Sequence, residues 1–259
     1  MILRGSLYSE LLGMDTGITV AAPNGAKSSG AYKVCYLLHG LCGNHDTWTD
    51  YAMLPFYAAK GNTVYIMPDA ARSFYADMKL GAAWFSYLTD ELPELCRSVF
   101  HISACREDTA VIGGSMGGYG ALKCALTRPE RYGMCAAFSS ACLFLNEELE
   151  AQRLHGKEQE FIARRGEQVL RDFELAFGPE LEPSDEDDLC SLAKLVPEDM
   201  APQLYLTCGT RDPLLGDHGR FCRALDRIGL RHTYEQWDGD HAFPYFSEAL
   251  RRAIVRFAL

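Results

Sequence analysis

The chain has 259 residues, of which 48% are hydrophobic and 23% are charged, which is enough for one large α/β domain spanning residues 1–259, with no second domain required. Its formal net charge of −10, with no basic stripe, argues against nucleic acid and anionic membrane surfaces as partners. Because residues 1–6 do not open a signal peptide and no apolar run is long enough to span a bilayer, we expect a cytoplasmic protein.

Strand-like and helix-like segments alternate along most of the chain. We predict eight strands, at residues 2–9, 16–22, 33–38, 62–67, 109–113, 133–139, 203–208 and 231–237. Helices are predicted at about 50–60, 86–99, 116–127, 217–229 and 245–257. Pro93 is expected to disturb the second of these helices. The alternation predicts a mostly parallel sheet flanked by helices, with an antiparallel entry at the N-terminus.

Residues 144–200 break this alternation, since they are charged, helical in pattern and without a convincing strand. We interpret them as a helical insertion, or cap, over one edge of the sheet, and we expect it to wall a substrate pocket. Residues 184–188 read Ser-Asp-Glu-Asp-Asp, which can suggest a cation site. A serine followed by acidic residues before Leu189 favours instead the start of an N-capped helix.

The most informative motif is Gly113-Gly114-Ser115-Met116-Gly117, between the fifth predicted strand and the following helix. It matches the nucleophile elbow G-x-S-x-G, in which a serine occupies strained backbone at a sharp strand-to-helix turn. Side chains at Gly113 or Gly117 would collide with the neighbouring strand and helix. The glycine spacing fits neither a dinucleotide fingerprint nor a P-loop. Ser115 is therefore the candidate nucleophile.

A serine nucleophile needs a base, and the base needs an acid that fixes its tautomer. Asp212 follows the strand at 203–208 and His241 follows the strand at 231–237, in the order serine, acid, base. We predict that His241 is the base and Asp212 the acid. Other candidates for the acid, with turn formation or helix capping as their simpler roles, are Asp217, Asp238 and Asp240. The other histidines closest in sequence, with structural or solvated roles favoured, are His218 and His232.

Stabilisation of a tetrahedral intermediate requires backbone N–H groups that face the developing oxyanion. We expect one from Met116, directly after the nucleophile, and one from Leu41 in the sequence His39-Gly40-Leu41-Cys42-Gly43. His39 is interpreted as a structural hydrogen-bonding residue. Cys42 is interpreted as a passive thiol rather than a redox switch.

Aromatic residues on the same loops are candidates for substrate contacts, and we expect the pocket to be lined by Trp48, Tyr75, Phe243 and Tyr245. The ten cysteines are scattered without C-x-x-C pairs or metal-ligand spacing. We therefore expect reduced, mostly buried thiols, and a secreted chain with disulfides is the alternative.

Several stretches match one known family together. They are residues 36–41 with 43–44 and Trp48, residues 73–78 and 90–93, and residues 114–120 with Lys123 and 125–126. Near the C-terminus, Cys208-Gly209 with Asp212 and Gly239 with His241 follow the same pattern. On these residues the chain resembles the esterase D group of α/β-hydrolases, most closely bacterial tributyrin esterases, over nearly its whole length. One departure is Ala242-Phe243 after the base, where related chains often have a polar residue and then Trp or Tyr.

The resemblance implies an α/β-hydrolase fold and hydrolysis of short-chain acyl esters, from acetyl to butyryl, through an acyl-enzyme, with no metal or organic cofactor. Small-molecule or oligosaccharide esters are the expected substrates. Since relatives include S-formylglutathione hydrolases and feruloyl or acetyl-polysaccharide esterases, these activities are alternatives, as is acyl transfer. A hydrolase-like binding protein without turnover is disfavoured by the complete set of Ser, His and Asp. The oligomeric state, including a homo-oligomer, stays open.

Overall fold

The computed structural model describes residues 1–25, 30–155 and 166–259. Its centre is one sheet of eight strands: β1 (Ile2–Ser9), β2 (Met14–Ala21), β3 (Lys33–Leu38), β4 (Thr63–Pro68), β5 (Thr109–Gly114), β6 (Met134–Phe138), β7 (Gln203–Gly209) and β8 (His232–Trp237). The strand order is β1-β2-β4-β3-β5-β6-β7-β8. β2 pairs antiparallel with β1 and β4, and the other neighbours are parallel. The predicted sheet, with its antiparallel entry, is confirmed.

Helices cover both faces of the sheet, so β4, β5 and β6 are buried along their whole length. The α-helices are α1 (Thr47–Tyr51), α2 (Leu54–Lys60), α3 (Trp84–Ser86), α4 (Leu92–Val99), α5 (Met116–Thr127), α6 (Leu145–His155), α7 (Glu167–Phe177), α8 (Leu189–Leu195), α9 (Leu215–Ile228) and α10 (Phe243–Phe257). One core packs α1, α2 and α10 against the sheet, and a second core packs α4 to α9 against the other face. Over the described parts of the chain, no helix is both long and apolar enough to cross a membrane.

Two prolines explain where the predicted helices are interrupted. The helix expected at 50–60 is two helices, because Pro55 in the first turn of α2 has no N–H to continue the ladder from α1. The predicted disturbance at Pro93 is a π-helical turn, Tyr87–Glu91, between α3 and α4. The Thr89 carbonyl, four residues before this proline, accepts a hydrogen bond from the Arg131 guanidinium instead.

The insertion between β6 and β7 carries α6, α7 and α8, and its described residues contain no strand, as predicted. Residues 156–165 of the predicted insertion lie outside the described residues. A capped helix begins directly after residues 184–188, as predicted, but its cap is Asp188 and not the serine: the Asp188 carboxylate accepts the Ser191 N–H at 2.7 Å. The neighbouring Asp187 carboxylate accepts a hydrogen bond from Lys123 Nζ of α5 at 2.5 Å.

Candidate active site

Ser115 lies at the turn between β5 and α5, with a positive φ of 58° and a ψ of −122°. Its N–H donates to the Phe138 carbonyl at 2.9 Å, and its carbonyl accepts from the Gly118 and Ala141 amides at 3.0 and 3.1 Å. A non-glycine residue in this region is strained, and surrounding contacts must hold it there. These hydrogen bonds to β6 and α5 supply that restraint and fix the side chain at the carboxyl end of the sheet.

The glycines on both sides of the serine allow the close approach that the motif predicts. A Cβ atom at Gly113 would lie 2.1 Å from the Gly117 carbonyl oxygen. A Cβ atom at Gly117 would lie 2.3 Å from the Leu38 carbonyl oxygen of β3. Both obstacles are backbone atoms, which cannot swing away as a flexible side chain can. The predicted steric role of these two glycines is confirmed.

Three predicted residues meet at this end of the sheet. Ser115, Asp212 and His241 follow β5, β7 and β8, three parallel strands whose carboxyl ends share one edge. His241 Nδ1 lies 2.8 Å from Asp212 Oδ2, and His241 Nε2 lies 2.9 Å from Ser115 Oγ. Because a carboxylate only accepts, Nδ1 carries the proton in neutral His241 and Nε2 is free to accept from the serine hydroxyl.

The Asp212 carboxylate is set up to stay ionised although its side chain is 0% exposed. Burial raises the pKa of the Asp212 carboxyl, but hydrogen bonds from His241, the Leu214 amide and Ser139 outweigh it and hold the pKa below its usual range. The Leu214 N–H binds Oδ1 at 2.8 Å, which leaves Oδ2 for His241. A buried negative charge at this position can stabilise an imidazolium on His241.

Three of the alternative acids and bases, Asp217, Asp238 and His218, have other partners. Asp217 pairs with Arg220 at 3.3 Å, and Asp238 pairs with Arg211. His218 is fully buried, and its Nε2 accepts the Ser140 N–H at 2.7 Å. Burial lowers the pKa of His218 to about 4. The structural interpretation of His218 fits these contacts.

The peptide between Gly40 and Leu41 is held in one orientation. The Gly40 carbonyl accepts from the Gly43 N–H at 2.9 Å and from His39 Nδ1 at 2.8 Å. Because the peptide is planar and trans, fixing this carbonyl directs the Leu41 N–H to the opposite side. A Cβ atom at Gly40 would lie 3.6 Å from Ser115 Cβ, so this loop runs directly beside the serine.

The second predicted donor, the Met116 amide, opens α5 directly after Ser115. An N–H in the first turn of a helix has no acceptor within the helix, so this donor is available to an oxyanion. His39 uses both ring nitrogens, because Nε2 accepts the Ala70 N–H at 3.0 Å while Nδ1 donates to Gly40. Burial lowers the pKa of His39, so the ring stays neutral. These contacts agree with its interpretation as a structural residue.

A cavity of about 380 Å³ opens beside Ser115 and His241. Its aromatic walls are Trp48, Tyr51, Phe243 and Phe246. The Trp48 and Phe243 rings meet edge to face with centroids 5.8 Å apart. Trp48 Nε1 donates to the Leu38 carbonyl at 2.9 Å, which fixes this wall. The cavity therefore offers an apolar, shaped surface to a group attached at the serine.

Two predicted pocket residues need correction. Tyr75 is 0% exposed, and its hydroxyl donates to the His39 carbonyl at 2.9 Å, so it supports the loop from behind and does not line the cavity. Tyr245 is 4% exposed and stacks on Trp237 at 4.5 Å on the other side of α10. Two wall residues were missed, Tyr51 and Phe246. Each lies three residues after a predicted wall residue on the same helix, and that spacing is the signal that could have found them.

The insertion does not wall this cavity with its described residues, because none of the lining residues comes from 144–155 or 166–200. Most of the ten cysteines are buried, as predicted, whereas Cys42 is exposed at the cavity rim. Across the described ranges, no group of three or more His, Cys, Asp or Glu side chains could hold a metal ion.

Comparisons with known proteins agree with this geometry. A family model described as putative esterase matches residues 9–257. The acetyl esterase of Caldicellulosiruptor saccharolyticus is 28% identical over 98% of this chain and 96% of that protein.

Two solved structures from Staphylococcus aureus extend the comparison. A fluorophosphonate-binding serine hydrolase F is 29% identical with a TM-score of 0.83, and the match covers 100% of this chain and 98% of that one. An S-formylglutathione hydrolase is 27% identical with a TM-score of 0.82 over 100% of both chains. The fold is the α/β-hydrolase fold, as the resemblance implied.

Proposed function

The chain belongs to the esterase family and is a serine ester hydrolase, and from this we propose that it hydrolyses short-chain acyl esters, from acetyl to butyryl, through an acyl-enzyme on Ser115. The observation that carries the proposal is the continuous hydrogen-bonded path from Asp212 Oδ2 through His241 to Ser115 Oγ, with distances of 2.8 and 2.9 Å. A serine hydroxyl is a weak nucleophile without such a base.

In the acylation step His241 acts as the base, because its Nε2 carries no proton in the neutral ring. Nε2 takes the hydroxyl proton as Ser115 Oγ attacks the ester carbonyl carbon, and the Asp212 carboxylate stabilises the resulting imidazolium. The imidazolium then gives that proton to the leaving alkoxide, which departs as the alcohol. The acyl group stays on Ser115 as an ester.

The Leu41 and Met116 amides are the proposed donors to the oxyanion. Each contributes most when the carbonyl oxygen gains charge, so it lowers the barrier more than it strengthens substrate binding. Water then enters in place of the alcohol, and His241 removes its proton as the water oxygen attacks the acyl carbon. The bond between the acyl carbon and Ser115 Oγ then breaks, the imidazolium returns the proton to Oγ, and the acid leaves.

The aromatic walls support the preference for short acyl groups. Trp48 is held by its hydrogen bond to Leu38 and by the edge-to-face contact with Phe243, so a long chain meets fixed rings beside the serine. The Tyr51 and Phe243 rings, 5.2 Å apart, extend this wall towards solvent.

The test is a panel of p-nitrophenyl esters from acetyl to octanoyl, with S-formylglutathione, feruloyl esters and acetylated xylan fragments in parallel. We expect kcat/KM to be highest between acetyl and butyryl and to fall for octanoyl. Ser115→Ala is the matched control and should show no turnover above buffer. A preference for octanoyl, or for S-formylglutathione over every oxygen ester, contradicts the proposed substrate class, and wild-type turnover by Ser115→Ala contradicts the proposed nucleophile. Product analysis with added alcohols or amines separates hydrolysis from acyl transfer.

A further inference from the structure

The segment that follows β4, residues 69–80, lies between the loop that carries Leu41 and helix α7 of the insertion, and we call it the bridge segment. Towards residues 39–41 of the Leu41 loop it makes three hydrogen bonds. The Ala70 N–H donates to His39 Nε2 at 3.0 Å, the Tyr75 hydroxyl to the His39 carbonyl at 2.9 Å, and Arg72 Nη1 to the Leu41 carbonyl at 3.3 Å.

Towards the insertion, the bridge segment packs along α7. The Phe74 ring stacks on Phe173 with centroids 4.6 Å apart and an interplanar angle of 14°. The Lys79 and Leu80 amides donate to carbonyls in the last turn of α7, each at 3.0 Å. Ala71, Phe74 and Tyr75 have φ values of 46°, 51° and 52°, which non-glycine residues adopt only when contacts hold them. Both sides of the segment supply such contacts.

The charged guanidinium of Arg72 contacts both α7 and the Leu41 loop. Its Nε and Nη2 both donate to Asp172 Oδ2 of α7, at 2.8 and 2.6 Å, while its Nη1 reaches the Leu41 carbonyl. The Asp172 side chain is only 4% exposed, and Gln168 Nε2 binds its other oxygen at 3.0 Å. A buried carboxylate is costly without a partner, so Asp172 holds the guanidinium in place.

We propose that Arg72 and Asp172 are positioning residues that set the orientation of the Leu41 amide from the insertion. This inference rests on the proposed function, because it assigns the Leu41 amide to the oxyanion. The peptide before Leu41 is fixed by His39 and Gly43 through the Gly40 carbonyl. The peptide after Leu41 is fixed by Arg72. With both peptide planes restrained, the φ and ψ of Leu41 have little freedom.

The insertion therefore acts by positioning the Leu41 loop and not by forming a wall of the pocket. α7 lies behind the loop that carries the oxyanion donor and controls it through one guanidinium. A lysine at position 72 can still pair with Asp172, but its single ammonium lacks the planar fork that serves the carboxylate and the carbonyl together. Arg72→Lys therefore separates loss of the Leu41 contact from loss of the ion pair.

The experiment compares Arg72→Lys, Arg72→Met and Asp172→Asn with wild type on p-nitrophenyl butyrate. The matched controls are Arg171→Met and Glu167→Gln, which remove members of an exposed i,i+4 pair on the same helix. We expect kcat to fall about 10-fold in Arg72→Lys and Arg72→Met, with KM changed by less than about twofold, because oxyanion donors act in the transition state. The controls should keep wild-type kcat. The Ki of a trifluoromethyl ketone, which forms a tetrahedral adduct, should rise by the same factor as kcat/KM falls.

A readout that does not depend on turnover separates this inference from the proposed function. Hydrogen exchange of residues 39–43 should be at least about 10-fold faster in Arg72→Lys and Asp172→Asn than in wild type, because both release the Leu41 peptide. Wild-type kcat and wild-type exchange in Arg72→Lys overturn the inference while leaving the proposed function intact. A wild-type protein that hydrolyses no ester contradicts the proposed function, and the exchange result then decides the positioning role alone. A fall in thermal stability with unchanged kcat and Ki also overturns the inference, because it leaves these residues a structural role only.

Discussion

Asp212→Asn tests the hydrogen-bonded path at the active site with almost no change in side-chain shape. In the structure, Oδ1 of Asp212 accepts the Leu214 N–H at 2.8 Å and Oδ2 faces His241 Nδ1 at 2.8 Å. An asparagine must keep its oxygen towards Leu214, so its NH₂ group faces Nδ1. His241 is then held with its proton on Nε2, which points at Ser115 and cannot take the hydroxyl proton.

The size of the effect follows from these contacts. Turning the amide to restore the productive tautomer leaves the Leu214 N–H without an acceptor, at a cost of about 1–3 kcal/mol. The charge-assisted bond to the imidazolium, worth about 1.5–3 kcal/mol, is lost as well. Together these raise the barrier by about 2.5–6 kcal/mol, or roughly two to four orders of magnitude in kcat.

The assay is steady-state hydrolysis of p-nitrophenyl butyrate, with thermal unfolding measured in parallel to show that the variant is folded. Asp240→Asn is the matched control, since this exposed aspartate lies on the loop just before His241. It should keep kcat near that of wild type. A folded Asp212→Asn variant with kcat within tenfold of wild type would refute the reasoning.

Three further predictions concern stability, pH and the cavity. Gly117→Ala should lower the free energy of unfolding by at least about 2 kcal/mol, because its Cβ would lie 2.3 Å from the Leu38 carbonyl oxygen. Gly40→Ala should be tolerated, because the atom nearest to its Cβ would be 3.6 Å away. Urea denaturation of the two variants and the wild type measures the difference. His218 has its pKa lowered to about 4 in the folded protein, so the unfolded chain binds the extra proton between about pH 6.5 and 4, and stability falls as pH falls through that window. This contribution, up to about 3 kcal/mol, should be absent in His218→Gln, and equal pH dependence of unfolding in both proteins would contradict it. Tyr51→Ala removes a wall residue that is 68% exposed, so it should raise the octanoyl-to-butyryl ratio of kcat/KM without lowering stability, and an unchanged ratio would argue against the wall.

The sequence predicts the elements that depend on local patterns. Buried strands such as β5 are short apolar runs, and their observed ends lie within two residues of the predicted ones. The elbow is predictable because Gly113 and Gly117 are required wherever a backbone passes so close. The order of Ser115, Asp212 and His241 follows from the fold, so the sequence brings them to one edge before any distance is known.

Other features depend on which way a side chain points or on contacts between distant residues. Tyr75 lies on a loop near the site, but at φ 52° its side chain turns into the core, and no glycine marks this reversal in the sequence. Arg72 and Asp172 are 100 residues apart, so no local spacing joins them. The break between the two helices at 47–60, by contrast, can be derived from the sequence alone. Pro55 has no N–H to donate to a continuous helix, so the helix is interrupted there.

The central claim is that Ser115 carries the acyl group during turnover. Rapid mixing with p-nitrophenyl butyrate, an acid quench and peptide mass spectrometry measure this directly. We predict a butyryl adduct on the peptide containing Ser115, formed during the first turnover in wild type and lost on hydrolysis, with no adduct and no turnover in Ser115→Ala. Turnover by Ser115→Ala, or a butyryl group found first on another residue, would contradict the account.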